Sequence, residues 1–254
     1  MIPKNINSFV KCNPNSQAAL RLFCFPYAGG NSLLFRKWRD TLPKNIEVCP
    51  VELPGRLSQR HVPPFTCMES LVNAIAISLL PYLEKPFAFF GHSMGGLVSF
   101  ELARFLRANY NLQPSHLFIS GRRPPQIPGS AAPIHSCLPL PEFIAQLRRL
   151  NGTPEAVLEN AELMQILVPI LRADFAVLEN YTYIDEPPLD CAISIFGGLE
   201  DKEVSYEQLA AWRAQTTNSF QLKMFRGAHF FLHSSQDLLL QSLSEQLPIQ
   251  ETEV

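Results

Sequence analysis

The motif with the clearest chemical meaning is GHSMG at residues 91–95, a serine with a glycine two positions away on each side. It follows the apolar run Phe87–Phe90 and leads into a helical pattern over Gly95–Asn109. A tight strand-to-helix turn needs small residues beside the serine, because backbone segments pass very close there. The hydroxyl then lies at a helix N-terminus, where peptide dipoles favour a developing anion. The motif predicts that Ser93 is a nucleophile.

An unassisted serine hydroxyl is a poor nucleophile at neutral pH, so a base must lie near Ser93. His229 follows the predicted strand Phe220–Phe225 through a short turn, which brings it to the carboxyl edge of the strands, where Ser93 lies. His92 is expected to point across the turn, and His116 opens a strand at the opposite edge. The others are expected in loops or as a solvated or capping residue: His61, His135 and His233. We predict that His229 is the general base.

A third residue must orient that histidine and balance its charge, and a serine–acid–histidine chain order places it between Ser93 and His229. Asp201 follows the predicted strand Cys191–Phe196 through two glycines, so it reaches the same edge. Asp201 is the predicted acid, with Glu200 and Glu203 as close alternatives. The other aspartates in the interval precede a strand, or lie in a helical insertion or its exit loop: Asp174, Asp185 and Asp190.

The anion formed during acyl transfer needs two backbone N–H donors. The residue after the nucleophile, Met94, is expected to supply one. The second is expected from the glycine-rich loop PYAGG at residues 26–30, which follows the first strong strand. Within that loop Ala28 is the predicted donor.

These residues require a parallel sheet, and the rest of the chain predicts one. Apolar runs predict six strands: Leu20–Phe25, Ile46–Val51, Phe87–Phe90, His116–Ser120, Cys191–Phe196 and Phe220–Phe225. Amphipathic patterns predict helices near Ser32–Leu42, Met68–Leu83, Gly95–Asn109, Tyr206–Gln215 and Asp237–Gln246. This alternation indicates an α/β fold with a mostly parallel central sheet and helices on both faces.

Residues 124–188 break the alternation. The segment shows no strand pattern, only a proline-rich entry and helical patterns over Glu142–Leu150 and Ala161–Tyr181. A long insertion between core strands is more often a functional lid than a plain connector. We therefore expect a single α/β domain over residues 1–254, with a helical lid at about 124–188 that covers an apolar acyl channel.

Composition excludes several classes of protein. The chain has 254 residues, 46% hydrophobic and 17% charged, which suits a folded domain with a sizeable core. With 21 Lys+Arg against 23 Asp+Glu the net charge is −2, which argues against a nucleic-acid binder. No apolar run approaches the roughly 18 residues that span a membrane. The six cysteines form no C-x-x-C pair, so reduced thiols are expected rather than a disulfide framework.

Taken in order, the motifs resemble type II thioesterases of nonribosomal peptide and polyketide synthesis. The similar segments, spread over Leu20–Leu243, are FPYAGG at 25–30, LPGR at 53–56, GHSMGG at 91–96, FGG at 196–198 and GAHFFL at 227–232. One departure is Ala228, where family members commonly have a second glycine before the histidine. The resemblance implies an α/β-hydrolase fold with a helical lid, a triad and two oxyanion donors: Ser93, Asp201, His229, Ala28 and Met94.

The resemblance also implies the reaction, hydrolysis of acyl groups from the phosphopantetheine arm of carrier proteins, which edits misprimed or stalled synthases. No cofactor or metal is expected, and zinc-ligand spacing and nucleotide loops are absent from the sequence. Expected partners are acylated carrier proteins rather than nucleic acid or membrane, for a cytoplasmic monomer. Three alternatives stay open: a medium-chain thioesterase of a fatty acid synthase, an esterase or acyltransferase, and an inactive hydrolase-fold binding protein.

A carrier protein is usually acidic around its modified serine, whereas this chain has no net positive charge. Recognition therefore needs a local basic patch. Arg122 and Arg123 follow a predicted strand at the catalytic edge and lead into the insertion, so they are the preferred candidates. The full set is Arg36, Lys37, Arg56, Arg60, Arg122 and Arg123.

Overall fold

The fold is built on six parallel strands. The computed structural model describes residues 9–12, 15, 18–128 and 135–247. The strands are β1 (Leu20–Phe25), β2 (Ile46–Pro50), β3 (Phe87–His92), β4 (His116–Ser120), β5 (Ala192–Gly198) and β6 (Phe220–Phe225). They lie in the order β2-β1-β3-β4-β5-β6, and every pairing is parallel. The predicted parallel sheet is confirmed.

The helices alternate with these strands as the sequence predicts. In the described residues they are α1 (Trp38–Thr41), α2 (Met68–Leu79), α3 (Met94–Tyr110), α4 (Leu140–Leu150), α5 (Glu155–Leu158), α6 (Ala161–Glu179), α7 (Tyr206–Ala210), α8 (Phe231–Ser234) and α9 (Gln236–Gln246). Three predicted helices are shorter and are completed by 3-10 turns: Ser32–Phe35 before α1, Leu80–Tyr82 after α2 and Ala211–Gln215 after α7.

Apolar side chains fill both faces of the sheet, because strands covered by helices on both sides are buried on both sides. On one face α2 and α3 pack against Phe23 and Phe89. On the other face α1 and α9 pack against Leu22 and Phe90. The predicted arrangement of helices on both faces is confirmed.

The segment between β4 and β5 contains α4, α5 and α6. These helices share a small apolar cluster of their own: Phe143, Leu147, Leu158, Met164 and Leu171. Over residues 124–128 and 135–188 the segment has no strand, as predicted. Among the helices of the described ranges, none has the length and apolar character needed to cross a membrane.

One pair of cysteines differs from the expectation of reduced thiols. Residues before β1 run antiparallel beside the end of β2, with the Lys11 N–H donating to the Pro50 carbonyl oxygen at 2.9 Å. This pairing brings Cys12 next to Cys49, and the two form a disulfide. The expectation is wrong for this pair, because the contact joins residues 37 apart that no local pattern links. The other cysteines are free: Cys24, Cys67, Cys137 and Cys191.

Candidate active site

A strained turn holds Ser93 between β3 and α3. Its φ is +52°, a conformation that costs about 1–3 kcal/mol in a non-glycine residue and persists only where neighbours enforce it. A Cβ on Gly91 would lie 2.1 Å from the carbonyl oxygen of Gly95, and a Cβ on Gly95 would lie 2.2 Å from the carbonyl oxygen of Phe25. Neither contact is possible, so the spacing of the motif is a steric requirement of the turn.

The carboxyl edge of the sheet brings Ser93, His229 and Asp201 together. Oγ of Ser93 lies 3.1 Å from Nε2 of His229, and Nδ1 of His229 lies 2.8 Å from Oδ2 of Asp201. The side chain of Asp201 is 1% exposed and that of His229 is 13% exposed. A chain of hydrogen bonds therefore leads from a buried carboxylate to a serine hydroxyl.

Backbone donors fix the carboxylate of Asp201. Its Oδ1 accepts hydrogen bonds from the N–H groups of Glu203 at 2.8 Å and Val204 at 3.3 Å. Glu200 is exposed, and Glu203 forms an ion pair with Arg149 at 2.7 Å. The structure therefore brings Asp201, rather than either alternative acid, to the histidine.

Two other histidines near the sheet have different partners. His92 is fully buried, and its Nδ1 lies 2.8 Å from Oγ of Ser120. Burial, reinforced by the neighbouring His229, holds the pKa of His92 well below its usual range, so the ring is neutral. His116 lies at the amino edge of the sheet, where its Nε2 is 2.8 Å from Oγ of Ser194, and burial lowers its pKa to about 4. Neither ring is positioned to take a proton from the nucleophile.

The two predicted oxyanion donors lie near the nucleophile: Met94 directly follows Ser93, and Ala28 lines the same cavity. Met94 begins α3, where the first N–H groups have no partner inside the helix. Ala28 lies in a turn closed by a hydrogen bond from the Gly30 N–H to the Tyr27 carbonyl oxygen at 2.9 Å. Neither amide donates a hydrogen bond to another residue of the described ranges. Both can therefore donate to a bound ligand.

A cavity of about 730 Å³ opens at Ser93 and His229. Its apolar wall comes largely from α4 and α6: Leu147, Leu150, Leu171, Phe175 and Leu178. Charged side chains also line the cavity, two from these same helices and four from the loops after β4 and β5: Arg149, Glu179, Arg122, Arg123, Lys202 and Glu203. The expected apolar channel is therefore only partly apolar, and the insertion itself contributes both apolar and charged side chains to it.

Two members of the predicted basic set are not surface cations. Arg56 is 5% exposed and forms an ion pair with Asp174. Arg122 is half-buried, its Nε has no partner among the described residues, and burial lowers its pKa to about 10. The exposed members are Arg36, Lys37 and Arg60, whereas Arg123 is half-buried. The LPGR motif indicated that Arg56 is important, but nothing in the sequence indicated that its ion-pair partner would be Asp174, 118 residues away.

Serine hydrolases occur on several folds, which differ in the chain order of serine, acid and histidine. The order found here, on a parallel sheet with the serine at a strand-to-helix turn, is that of the α/β-hydrolases, and the predicted fold class is confirmed. Within this class, residues 20–247 match the model of the thioesterase domain, so the chain belongs to the thioesterase family. The expected enzyme class, a thioester hydrolase, is confirmed.

Three known proteins show the extent of the similarity. The gramicidin S biosynthesis protein GrsT of Aneurinibacillus migulanus is 48% identical over 239 residues, 94% of this chain and 93% of GrsT. The type II thioesterase BorB from the borrelidin biosynthetic cluster is 31% identical, with a TM-score of 0.86 over 95% of this chain and 98% of BorB. The medium-chain S-acyl fatty acid synthase thioesterase of Homo sapiens is 33% identical over 242 residues, 90% of this chain and 87% of that protein. The predicted resemblance to type II thioesterases of nonribosomal peptide and polyketide synthesis is confirmed.

Proposed function

We propose that this enzyme hydrolyses acyl groups from the phosphopantetheine arms of carrier proteins, and so clears misprimed or stalled units from a nonribosomal peptide or polyketide synthase. The observation that carries the proposal is the 48% identity, over 94% of the chain, to a gramicidin S biosynthesis protein. The cavity at Ser93 supports it, because an acyl chain needs an enclosed site next to the nucleophile.

In the first half of the proposed reaction, Oγ of Ser93 attacks the thioester carbonyl carbon while Nε2 of His229 takes the hydroxyl proton. The backbone N–H groups of Ala28 and Met94 donate to the resulting oxyanion. When the tetrahedral intermediate collapses, the carbon–sulfur bond breaks. The pantetheine thiol leaves with the proton from His229, and the acyl group stays on Ser93 as an ester.

In the second half, water attacks the acyl ester of Ser93 and His229 takes the proton of that water. The new tetrahedral intermediate collapses, His229 returns the proton to Oγ, and the free acid leaves. Asp201 keeps the proton of the imidazole on Nδ1, so that Nε2 is the basic nitrogen in both halves. Each step uses only protein groups and water.

A medium-chain thioesterase of a fatty acid synthase is the second candidate, because the human relative is 33% identical over most of its length. The higher identity to GrsT favours the first candidate, in which the substrate is an acyl carrier protein of a nonribosomal peptide or polyketide synthase. An esterase or acyltransferase uses the same triad and differs in its leaving group or acceptor. A panel of substrates separates these activities.

The last alternative, an inactive binding protein, is not favoured, because the chain belongs to the thioesterase family and Ser93 lies within hydrogen-bond distance of His229. A fluorophosphonate probe should label the wild-type protein, with the label on the peptide that contains Ser93. A folded protein that does not react with the probe would support the inactive alternative.

We also propose that residues 1–254 form one domain, in which 124–188 act as a lid over the cavity, and that the enzyme is a cytoplasmic monomer. The lid is supported by the separate apolar cluster of α4–α6 and by their side chains in the cavity wall.

We expect amide hydrogens of α4 and α5 to exchange faster than those of β3 and β4, because fewer buried contacts hold them. Hydrogen exchange resolved by peptide measures this. Equal protection in both regions would contradict a mobile lid.

Carrier docking by local positive charge makes a further prediction. Arg123 and the exposed Lys202 lie at the cavity, and Lys202 replaces Arg122, whose Nε is buried without a partner among the described residues, as a docking candidate. Reversing both to glutamate should lower kcat/KM for an acyl carrier by about tenfold and flatten its dependence on salt, because steering by charge is screened by salt. The kcat/KM for an N-acetylcysteamine thioester should change little.

The matched control is Lys44→Glu, an exposed lysine just before β2, at the opposite edge of the sheet. This variant should affect neither substrate. Equal losses on both substrates in the double variant would mean that Arg123 and Lys202 support the active site. No loss on either would leave carrier binding to apolar surface on the insertion.

A further inference from the structure

We propose that Arg56 and Asp174 are positioning residues for the oxyanion hole. Together they hold the turn of residues 27–30, which carries the N–H of Ala28. The inference rests on the proposed role of Ala28 as an oxyanion donor. It gives a function to the LPGR motif at residues 53–56, which the reaction steps leave unused.

The ion pair binds both sides of the glycine pair in this turn. Nε of Arg56 donates to the carbonyl oxygen of Gly30 at 2.7 Å, and Nη1 donates to the carbonyl oxygen of Pro54 at 2.7 Å. Nη2 forms an ion pair with Oδ2 of Asp174. The same carboxylate oxygen accepts a hydrogen bond from the N–H of Gly29 at 2.7 Å. One buried pair therefore fixes an N–H and a C=O of consecutive residues.

The orientation of the Ala28 N–H follows from the geometry of the turn. The Gly30 N–H donates to the carbonyl oxygen of Tyr27, so that carbonyl faces into the turn. The Ala28 N–H belongs to the same planar trans peptide, in which N–H and C=O point in opposite directions. It therefore faces outward. Rotation of the peptides at Gly29 or Gly30 would break this arrangement and turn the donor away.

The loop that presents Arg56 has an unusual backbone. Gly55 has a φ of +84° and Leu57 has a φ of +39°. Positive φ is rare for a leucine, and such a conformation persists only where surrounding contacts enforce it. The hydrogen bonds of Arg56 are such contacts. The backbone is thus held in a shape that directs the guanidinium at the turn.

Burial and close packing make the connection rigid. Arg56 is 5% exposed and Asp174 is 4% exposed, so removal of either charge leaves the other uncompensated away from water. Asp174 lies on α6 three residues after Leu171, on the same face of the helix. Gly29 has a φ of +77°, and a Cβ there would lie 2.6 Å from Cδ2 of Leu171, so both the backbone conformation and the packing favour glycine. Helix α6 is therefore anchored to the turn of residues 27–30 by the hydrogen bond between Gly29 and Asp174 and by the close packing of Leu171 on Gly29.

The variant Arg56→Lys tests the proposal. A lysine keeps the positive charge, but a single ammonium cannot reproduce the fixed directions of the guanidinium hydrogen bonds. We expect kcat for an N-acetylcysteamine thioester to fall at least tenfold, towards the ~10²–10³-fold loss caused by removal of an oxyanion donor, with KM little changed. Asp174→Glu keeps both charges of the pair but displaces the carboxylate from the Gly29 N–H, so it should show a loss of the same kind. If Arg56→Lys does not fold, Asp174→Glu provides the same test.

Two inhibitors separate positioning from general destabilisation. A trifluoromethyl ketone analogue of the acyl thioester forms a tetrahedral adduct on Ser93 and needs the oxyanion hole, whereas a thioether analogue binds without reacting. In the variant the affinity for the ketone should fall by the factor lost in kcat/KM. The affinity for the thioether and the circular dichroism spectrum should be unchanged. Equal falls for both inhibitors, or no fall for either, would overturn the proposal.

The control is Arg148→Lys, in an exposed ion pair between Arg148 and Glu155. It lies in the same insertion and should change neither inhibitor affinity nor kcat. If the wild-type enzyme itself forms no ketone adduct on Ser93, the proposed catalytic mechanism is wrong. That result is distinct from a failure of the positioning proposal, which concerns only the difference between the Arg56 variant and the wild type.

Discussion

Replacement of Ser93 by alanine is expected to lower kcat for thioester hydrolysis by on the order of 10⁶-fold, the loss seen when a serine triad loses its nucleophile. His229→Ala should cost about as much, because the hydroxyl and the imidazole, 3.1 Å apart, act as one unit. Release of the pantetheine thiol from an acyl carrier measures both. The residual rate should be equal in the two single variants and in the double variant.

Two exposed residues away from the cavity provide matched controls. Ser219 lies just before β6 at the amino edge, and His61 lies in a loop. Ser219→Ala and His61→Ala should keep wild-type turnover. Near-normal turnover in a folded Ser93→Ala protein, purified free of other hydrolases, would rule out the covalent mechanism.

The change Asp201→Asn is expected to lower kcat by about 10⁴-fold, as the corresponding change does in a serine triad. An asparagine amide opposite Nδ1 favours the tautomer with the proton on Nε2, which cannot accept a proton from Ser93. Binding of the thioether analogue should be retained, because the hydrogen-bond geometry is preserved. Steady-state kinetics measures kcat, and inhibition by the thioether analogue measures its binding.

The control for the acid is Glu200→Gln, one residue earlier in the same loop and exposed. We expect it to leave kcat nearly unchanged. A severe loss in Glu200→Gln together with a mild loss in Asp201→Asn would show that the acid has been assigned to the wrong residue.

The strands and the three central side chains could be predicted because their signals are local. Most strands are short apolar runs that end near a glycine, and parallel strands present their carboxyl ends at one edge. Ser93, Asp201 and His229 each follow such a run, so their meeting could be expected without knowledge of packing. At the Ala228 departure the positive φ of the turn, +114°, belongs to Gly227, so Ala228 does not need the conformational freedom of a glycine.

The features that were not predicted all depend on contacts between distant segments. The Cys12–Cys49 disulfide and the Arg56–Asp174 pair join residues 37 and 118 positions apart. Strand β3 also extends two residues further than predicted, because Gly91 and His92 pair with β4 although a glycine usually indicates the end of a strand. Neither hydrophobic periodicity nor a motif predicts which distant residue a side chain will contact.

One measurement tests the proposed function most directly. A single acyl group is offered on a phosphopantetheinyl carrier protein, on coenzyme A, on N-acetylcysteamine and as a simple oxygen ester, with the Ser93→Ala protein as the blank for each. The proposed function predicts that kcat/KM is highest for the carrier, lower for the two small thioesters and lowest for the oxygen ester. An oxygen ester hydrolysed as fast as the acyl carrier, or a carrier hydrolysed no faster than the N-acetylcysteamine thioester, would contradict it.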